Sequence, residues 1–474
     1  MKKAIYSLAI GLLLATTSCL SVFARTAPKE GFLAPSERID PLRFLPVPPD
    51  SSDLRFAGDL SAYARAARIL RDNPAGTYAD EARKKMDTEA LIPYFSVAAG
   101  LRVNAQENPE TFLLLSRVLA DGRASTLPAR EWIARTDPLH LTAMRAAAAS
   151  PDSSRFCYPS PEITDAYLLA QVLSQLQPTA IVPLMALARD FAEVRVLQLR
   201  QWESDIHASV LVAAAVFARL QSSKGYLDQL GKARKELSGR IIPLPRKAKT
   251  KRDRFVADTD LPDASRFLPA PPEFMGDTFF PDYAWYFWGK EQRKDPSLAK
   301  SALDDYLLGD VDSMNTRFNC CLPVEIAPRK TPLSYRFLVR TANDSKKMNT
   351  TAKGYFHRLR PFVLFGEPSI APGHDDLMGK TFSYPSGHSI RGYACALALA
   401  FLFPERTEAL VARSVLIADN RVVCGHHFKS DTEQSLPSAM AAISACWQIP
   451  SSRMQFRRPG RNWEKRNNPF GISV

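Results

Sequence analysis

Arg43-Phe44-Leu45-Pro46-Val47-Pro48-Pro49 is written twice in this chain of 474 residues. It returns as Arg266-Phe267-Leu268-Pro269-Ala270-Pro271-Pro272, 223 positions later. At the same offset Asp59 meets Asp282, Phe95 meets Phe318, Pro109 meets Pro332 and Arg117 meets Arg340. Further along, Tyr158-Pro159-Ser160 returns as Tyr384-Pro385-Ser386 and Ser204-Asp205 as Ser430-Asp431, now 226 apart. Chance rarely holds an offset over such a distance. The expectation is a tandem duplication of a unit of about 200 residues, with halves running from 40 to 235 and from 258 to 450. Gly239–Arg254, with two prolines and a basic run, reads as the linker between them.

Within each half the pattern is helical. Leu60–Leu70, Pro109–Leu119, Ser389–Phe403 and Thr407–Asn420 carry apolar residues three and four apart, with prolines and glycines between the runs. Few segments alternate as strands do. The fold class expected is all-α, with helices packed around one core in each half.

Composition narrows the function classes. Hydrophobic residues make up 46% and charged residues 23%, which excludes a disordered, collagen-like or multi-pass membrane protein. Residues 1–24 read as a secretory signal peptide: Lys2 and Lys3, an apolar run Ala4–Ala15, then Val22-Phe23-Ala24. No apolar stretch is long enough to span a bilayer, so the expected location is periplasmic or secreted. The net charge is +13. Its excess sits in Arg246–Arg254 and Arg453–Arg466, a linker and a tail (451–474), so nucleic acid is not the expected partner. Six cysteines follow the signal segment. An exported chain permits disulfides, and the spacing leaves their pairing open and matches no zinc site.

Three clusters in the second half carry chemistry. Lys353 and Arg360 stand seven apart, nearly two helical turns, so the spacing predicts one face presenting two cations, with Pro361 ending the helix. Tyr384-Pro385-Ser386-Gly387-His388 leads into an apolar helix, and a helix start offers free backbone N–H groups to an anion. Arg421-x5-His427-x3-Asp431 places a carboxylate four residues after a histidine, where it can hold one imidazole nitrogen and leave the other as a base or nucleophile. Together these residues describe a phosphate site with a nucleophile and an acid.

Lys353-x6-Arg360-Pro361, Pro385-Ser386-Gly387-His388 and Arg421-x5-His427-x3-Asp431 resemble the three-part signature of the phosphatidic acid phosphatase type 2 superfamily. The flanks, including Arg360-Pro361-Phe362 and Arg421-Val422-Val423-Cys424-Gly425, resemble more closely still the bacterial class A nonspecific acid phosphatases, apart from Asn420, where that family usually has serine. The resemblance implies hydrolysis of small-molecule phosphate monoesters with no cofactor and no metal. It implies His427 as nucleophile forming a phosphohistidine, Asp431 orienting it, and His388 as acid then base. Lys353, Arg360, Ser386, Gly387 and Arg421 would bind phosphate. An alternative is action on lipid phosphate or pyrophosphate at the envelope surface. At the offsets of the repeat, Arg360 meets Asp137, Gly387 meets Pro161, His388 meets Glu162 and His427 meets Gln201. The first half is therefore expected to be catalytically inactive and to serve as the other member of an intramolecular pseudo-dimer.

Overall fold

The computed structural model describes residues 30–72, 88–140, 156–242, 251, 253–307 and 311–447. The segment expected to be a signal peptide, the basic tail and most of the expected linker lie outside these residues. The described chain is all-α. Seventeen α-helices are found and no strand, with one isolated bridge between Thr136 and Phe156.

The first half contributes α1 (Phe56–Asp72), α2 (Thr88–Ala98), α3 (Pro109–Ile133), α4 (Pro161–Leu176), α5 (Ile181–Leu197), α6 (Glu203–Leu220) and α7 (Lys224–Glu236). The second contributes α8 (Phe280–Gln292), α9 (Pro296–Tyr306), α10 (Val311–Thr316), α11 (Pro332–Phe356), α12 (Pro361–Phe365) and α13 (Asp375–Met378). It ends with α14 (Gly387–Leu402), α15 (Thr407–Val423), α16 (Lys429–Glu433) and α17 (Ser435–Trp447).

Several helices of the two halves match in length at the sequence offsets. Helices α3 and α11 are both 25 residues long, begin with proline and lie 223 apart. Both are followed by a residue in the left-handed region, Ala134 (φ 51°) and His357 (φ 53°). Such a residue breaks the helical path and turns the chain away. Helices α4 and α14 match at 226 over 16 residues, and α5 and α15 match over 17. One departure is local: α6 is continuous, whereas its counterpart is split at Gln434 into α16 and α17.

A core in each half was the expectation, and the packing differs. One continuous apolar cluster runs through both halves. Helix α6 is apolar all round from Val210 to Ala218, so no single face of it can be left to water. It packs on α4 and α3 of its own half and on α14, α15 and α17 of the other. Across this seam His207 Nε2 lies 3.4 Å from the Tyr393 hydroxyl. Helix α1 meets α8 at the far side. The two halves thus share one apolar core.

The same buried polar device pins each half. In the second, Arg358 donates to Asp282 on α8 (2.6 Å) and to Asp431 on α16 (2.6 Å). Asp282 also accepts from the Ser430 amide (2.8 Å) and hydroxyl (2.6 Å). In the first half Arg135 bridges Asp59 (2.6 Å) and Asp205, and Asp59 accepts from Ser204 in the same two ways. Both arginines and all four carboxylates are almost wholly buried. Removing one member of such a set leaves an uncompensated charge in a medium that cannot solvate it. Arg358→Met is expected to cost about 3–5 kcal/mol of unfolding free energy, read from denaturant midpoints, and Arg135→Met a similar amount. A loss below about 1 kcal/mol, the ordinary effect of a point substitution, would show the bridge to be dispensable.

Candidate active site

The site lies where three chain segments converge: the turn after α11, the start of α14 and the turn after α15. Each is placed by a helix terminus, and the termini are specified by local sequence.

Helix α11 ends at Phe356, because His357 takes the left-handed conformation. Lys353 is therefore in the last turn of α11, and Arg360 lies outside it as the N-cap of α12. The two cations do not share a helix face, and Pro361 opens a helix instead of closing one. A proline is accommodated at the first helical position because its missing N–H has no partner there anyway. The chain turn achieves what the expected face would have done. Lys353 Nζ donates to the carbonyls of Phe382 and Ser383, the latter at 2.9 Å. Arg360 donates to Met378 O (3.1 Å), His426 O (2.9 Å) and Phe382 O (3.2 Å), and to the Thr381 hydroxyl (3.0 Å).

Ser386 caps α14 by accepting from the Ser389 amide through its hydroxyl. Its own N–H is spent on Asp431 O (2.9 Å) and Ser435 Oγ (3.1 Å). The free amides at this helix start are thus those of Gly387 and His388. A Cβ at Gly387 would stand 3.0 Å from Asn349 Nδ2 on α11, so only glycine leaves that contact unstrained. Asn349 was not singled out from the sequence. It is buried, and its Oδ1 has no hydrogen-bond partner.

His427 and Asp431 come together, though by a different route from the helical spacing expected. The helix begins only at Lys429, and His427 sits in the preceding turn. Asp431 is the third residue of α16. Its Oδ2 accepts from the Phe428 amide (2.9 Å) and lies 3.3 Å from His427 Nδ1. A proton on Nδ1 facing Asp431 leaves the lone pair on Nε2. Arg360 Nη1 stands 3.2 Å from that nitrogen.

Arg421, in the last turn of α15, is fully buried, and none of its three guanidinium nitrogens has a hydrogen-bond partner. His388 Nε2 is likewise buried and unpartnered. Arg421 lies 5.1 Å over the Tyr306 ring. Asn420 points away from this group and donates to Asp305 (2.7 Å) and to the Ser301 hydroxyl (3.2 Å), which ties α15 to α9.

Burial and mutual repulsion push every group here toward its neutral form. Burial lowers Lys353 well below the usual lysine range, and Arg360 and Arg421 lower it further. Arg360 is brought down to about 10 by burial and then by Arg421. His427 is lowered well below the ordinary imidazole value by burial, Arg360, Lys353 and Arg421, and His388 by burial, Arg421 and Arg391. Burial likewise lowers Arg421. His426, missed in the sequence because it fits no spacing, is lowered to about 2, burial first and Arg421 next. It stacks on Tyr306 with ring centres 4.5 Å apart and walls the site.

Buried donors without acceptors, held beside clustered cations, suit an anion bearing several oxygens. Among the described residues no group of three or more His, Cys, Asp or Glu could hold a metal ion.

The corresponding place in the first half is internally neutralised. Arg195, the counterpart of Arg421, lies 3.3 Å from Glu162, the counterpart of His388. Asp137, the counterpart of Arg360, holds His140 at 2.7 Å. Gln201 stands where His427 does, and Arg130, in the place of Lys353, donates to Phe156 O.

The chain is similar to known proteins. Residues 337–455 match the PAP2 superfamily, a span that contains all eight site residues. A non-specific acid phosphatase of Providencia stuartii is 28% identical over 220 residues, covering 46% of this chain and 88% of the relative. Those of Salmonella typhimurium (30% over 203 residues) and Salmonella typhi (30% over 222 residues) cover 43% and 46% of this chain, and 80% and 87% of their own length.

The electrostatics of the site can be checked directly. Cations disfavour the imidazolium, and a bound dianion offsets them, so the shift has a definite sign. In imidazole NMR titrations His388 and His427 should stay neutral far below pH 6.5 in the free protein. Saturating inorganic phosphate should raise their pKa values by about one unit or more. Unchanged titrations in phosphate would contradict an anion between them.

Proposed function

We infer from this chain's membership of the PAP2 superfamily, within which it belongs to the non-specific acid phosphatases, a hydrolase of phosphate monoesters working through a covalent intermediate on His427. The observation that carries the covalent reading is the pairing of Arg421, buried with every nitrogen uncommitted, with a neutral imidazole whose Nδ1 faces Asp431.

The steps balance as follows. His427 Nε2 attacks phosphorus, the P–N bond forms and the bond to the ester oxygen breaks. His388 gives that oxygen its proton. Water then attacks phosphorus, His388 takes a proton from it, and the P–N bond breaks to release phosphate. Lys353, Arg360, Arg421 and the amides of Gly387 and His388 face the non-bridging oxygens and stabilise them as charge redistributes. Ser386 acts mainly by capping α14 and so aiming those amides. Because the lowered pKa of His388 comes from burial and cations, the substrate's own negative charge restores the proton that step one consumes. Cationic side chains fill the place that a divalent ion takes in other phosphatases.

His427→Ala should abolish both phosphoenzyme and turnover of a chromogenic phosphate ester. His388→Ala should slow esters with poor leaving groups by about 10²–10⁴-fold, and activated esters less. Activity should survive a chelator and fall with vanadate, a mimic of five-coordinate phosphorus. Near-normal hydrolysis by His427→Ala would refute the mechanism.

The first half is proposed to be a duplicated, inactive copy kept as a scaffold. Its support is that the helix lengths and the Arg135 bridge persist while Gln201 and Glu162 replace both histidines. Residues 256–474 expressed alone with an export signal should aggregate or dimerise, since α14 and α17 lose α6. A monomeric fragment of full stability and activity would contradict this. Export itself is proposed from the charged and apolar pattern of residues 1–24.

A further inference from the structure

Of the six cysteines among the described residues, four stand apart from one another and are buried: Cys157, Cys395, Cys424 and Cys446. Each thiol donates to a carbonyl or carboxyl group nearby, or to the Asn315 side chain, and burial pushes each above the ordinary thiol range. The other two are different. Cys320 and Cys321 are consecutive, on the single 3₁₀ turn Asn319–Cys321 between α10 and α11. Cys320 is exposed and Cys321 half-buried. Their sulfurs lie 3.7 Å apart and face one another.

We propose that Cys320 and Cys321 form a redox-active vicinal dithiol, a reversible modification site that closes to a disulfide by exchange with a low-molecular-weight disulfide. The exposed Cys320 thiolate attacks one sulfur of that disulfide and expels the other as a thiolate. The Cys321 thiolate then attacks Cys320 Sγ and expels the second. Two cysteine thiols lose two protons, and two electrons reduce the small disulfide to two thiols.

Two features favour exchange over a permanent structural bridge. The Cα atoms of consecutive residues are about 3.8 Å apart, whereas disulfides ordinarily join Cα atoms about 4.4–6.8 Å apart. The ring so formed is constrained and easily reduced, as labile and regulatory disulfides are. The turn is also wired to the catalytic half. Cys321 Sγ donates to Ala409 O on α15 (3.6 Å). The Arg317 carbonyl accepts from Cys320 Sγ (3.4 Å) and from Arg413 Nε (3.3 Å). Arg413 forks onto Asp305 (2.6 and 3.0 Å), which holds Asn420, the residue before Arg421. A disulfide between the two sulfurs removes the Cys321 thiol proton that Ala409 O accepts. The proposal does not depend on the phosphatase reading, because its test reads sulfur chemistry alone.

The full-length protein is reduced, freed of reductant and exposed to oxidised glutathione, then denatured under non-reducing acid conditions for mass analysis. The expected product has lost two hydrogens and two titratable thiols, and peptide mapping places the link between Cys320 and Cys321. Cys321→Ser, a conservative change at a half-buried position, should stop at a glutathione adduct on Cys320. The proposal is overturned if the wild type also stops at that adduct, stays fully reduced, or links either residue to a third cysteine.

Discussion

Arg358 is held between Asp282 and Asp431, and the geometry of the site descends from that bridge. Asp282 belongs to α8, Asp431 to α16, and Arg358 to the turn after α11, so one guanidinium joins three segments far apart in sequence. Its planar fork can face two carboxylates at once, which an ammonium cannot do with fixed angles. Asp431 spends one oxygen on this bridge and the other on the Phe428 amide and His427. The bridge therefore fixes where α16 starts and which way the His427 imidazole is turned. The first half keeps the same bridge at Arg135 although Gln201 has replaced the histidine. The bridge therefore occurs with and without a histidine beside it, which marks it as part of the helical framework.

A framework of this kind lets the protein gather cations at an energetic cost. Lys353, Arg360 and Arg421 are each buried beside the others. Lys353 and Arg360 offset the loss of water with backbone carbonyls, whereas Arg421 has none. Such a cluster is most stable when an anion completes it, and it favours the state with the greatest negative charge at the oxygens. The first half illustrates the alternative. There Glu162 lies against Arg195 and Asp137 against His140, so carboxylates of the chain itself stand where the second half leaves Arg421 without a partner.

The apolar core is shared between the two halves of the chain. Helix α6 is buried on every side because α14, α15 and α17 cover what its own half leaves open. Removing the first half would bare that apolar surface to water, a larger penalty than any single site residue could repay.

Much of this was legible in one dimension. Helix content, the matching offsets and the eight candidate residues are read from periodicity, spacing and residue chemistry, all of which are local properties of the chain. Lys353, Arg360, Gly387, His388, Arg421, His427 and Asp431 do converge, and Ser386 caps the helix beside them. What stayed hidden are relations between segments. Nothing in the spacing of Lys353 and Arg360 reveals that His357 would turn the chain and set them on different elements. Nothing marks Arg358, Asn349 or His426, because burial and partnership depend on what other helices bring alongside. The single core spanning both halves is hidden for the same reason. Sequence by itself determined which groups could carry charge, protons and helical turns. Only the tertiary structure decided which would be stripped of water and facing one another, because desolvation and hydrogen-bond geometry exist between packed segments and have no counterpart along the chain.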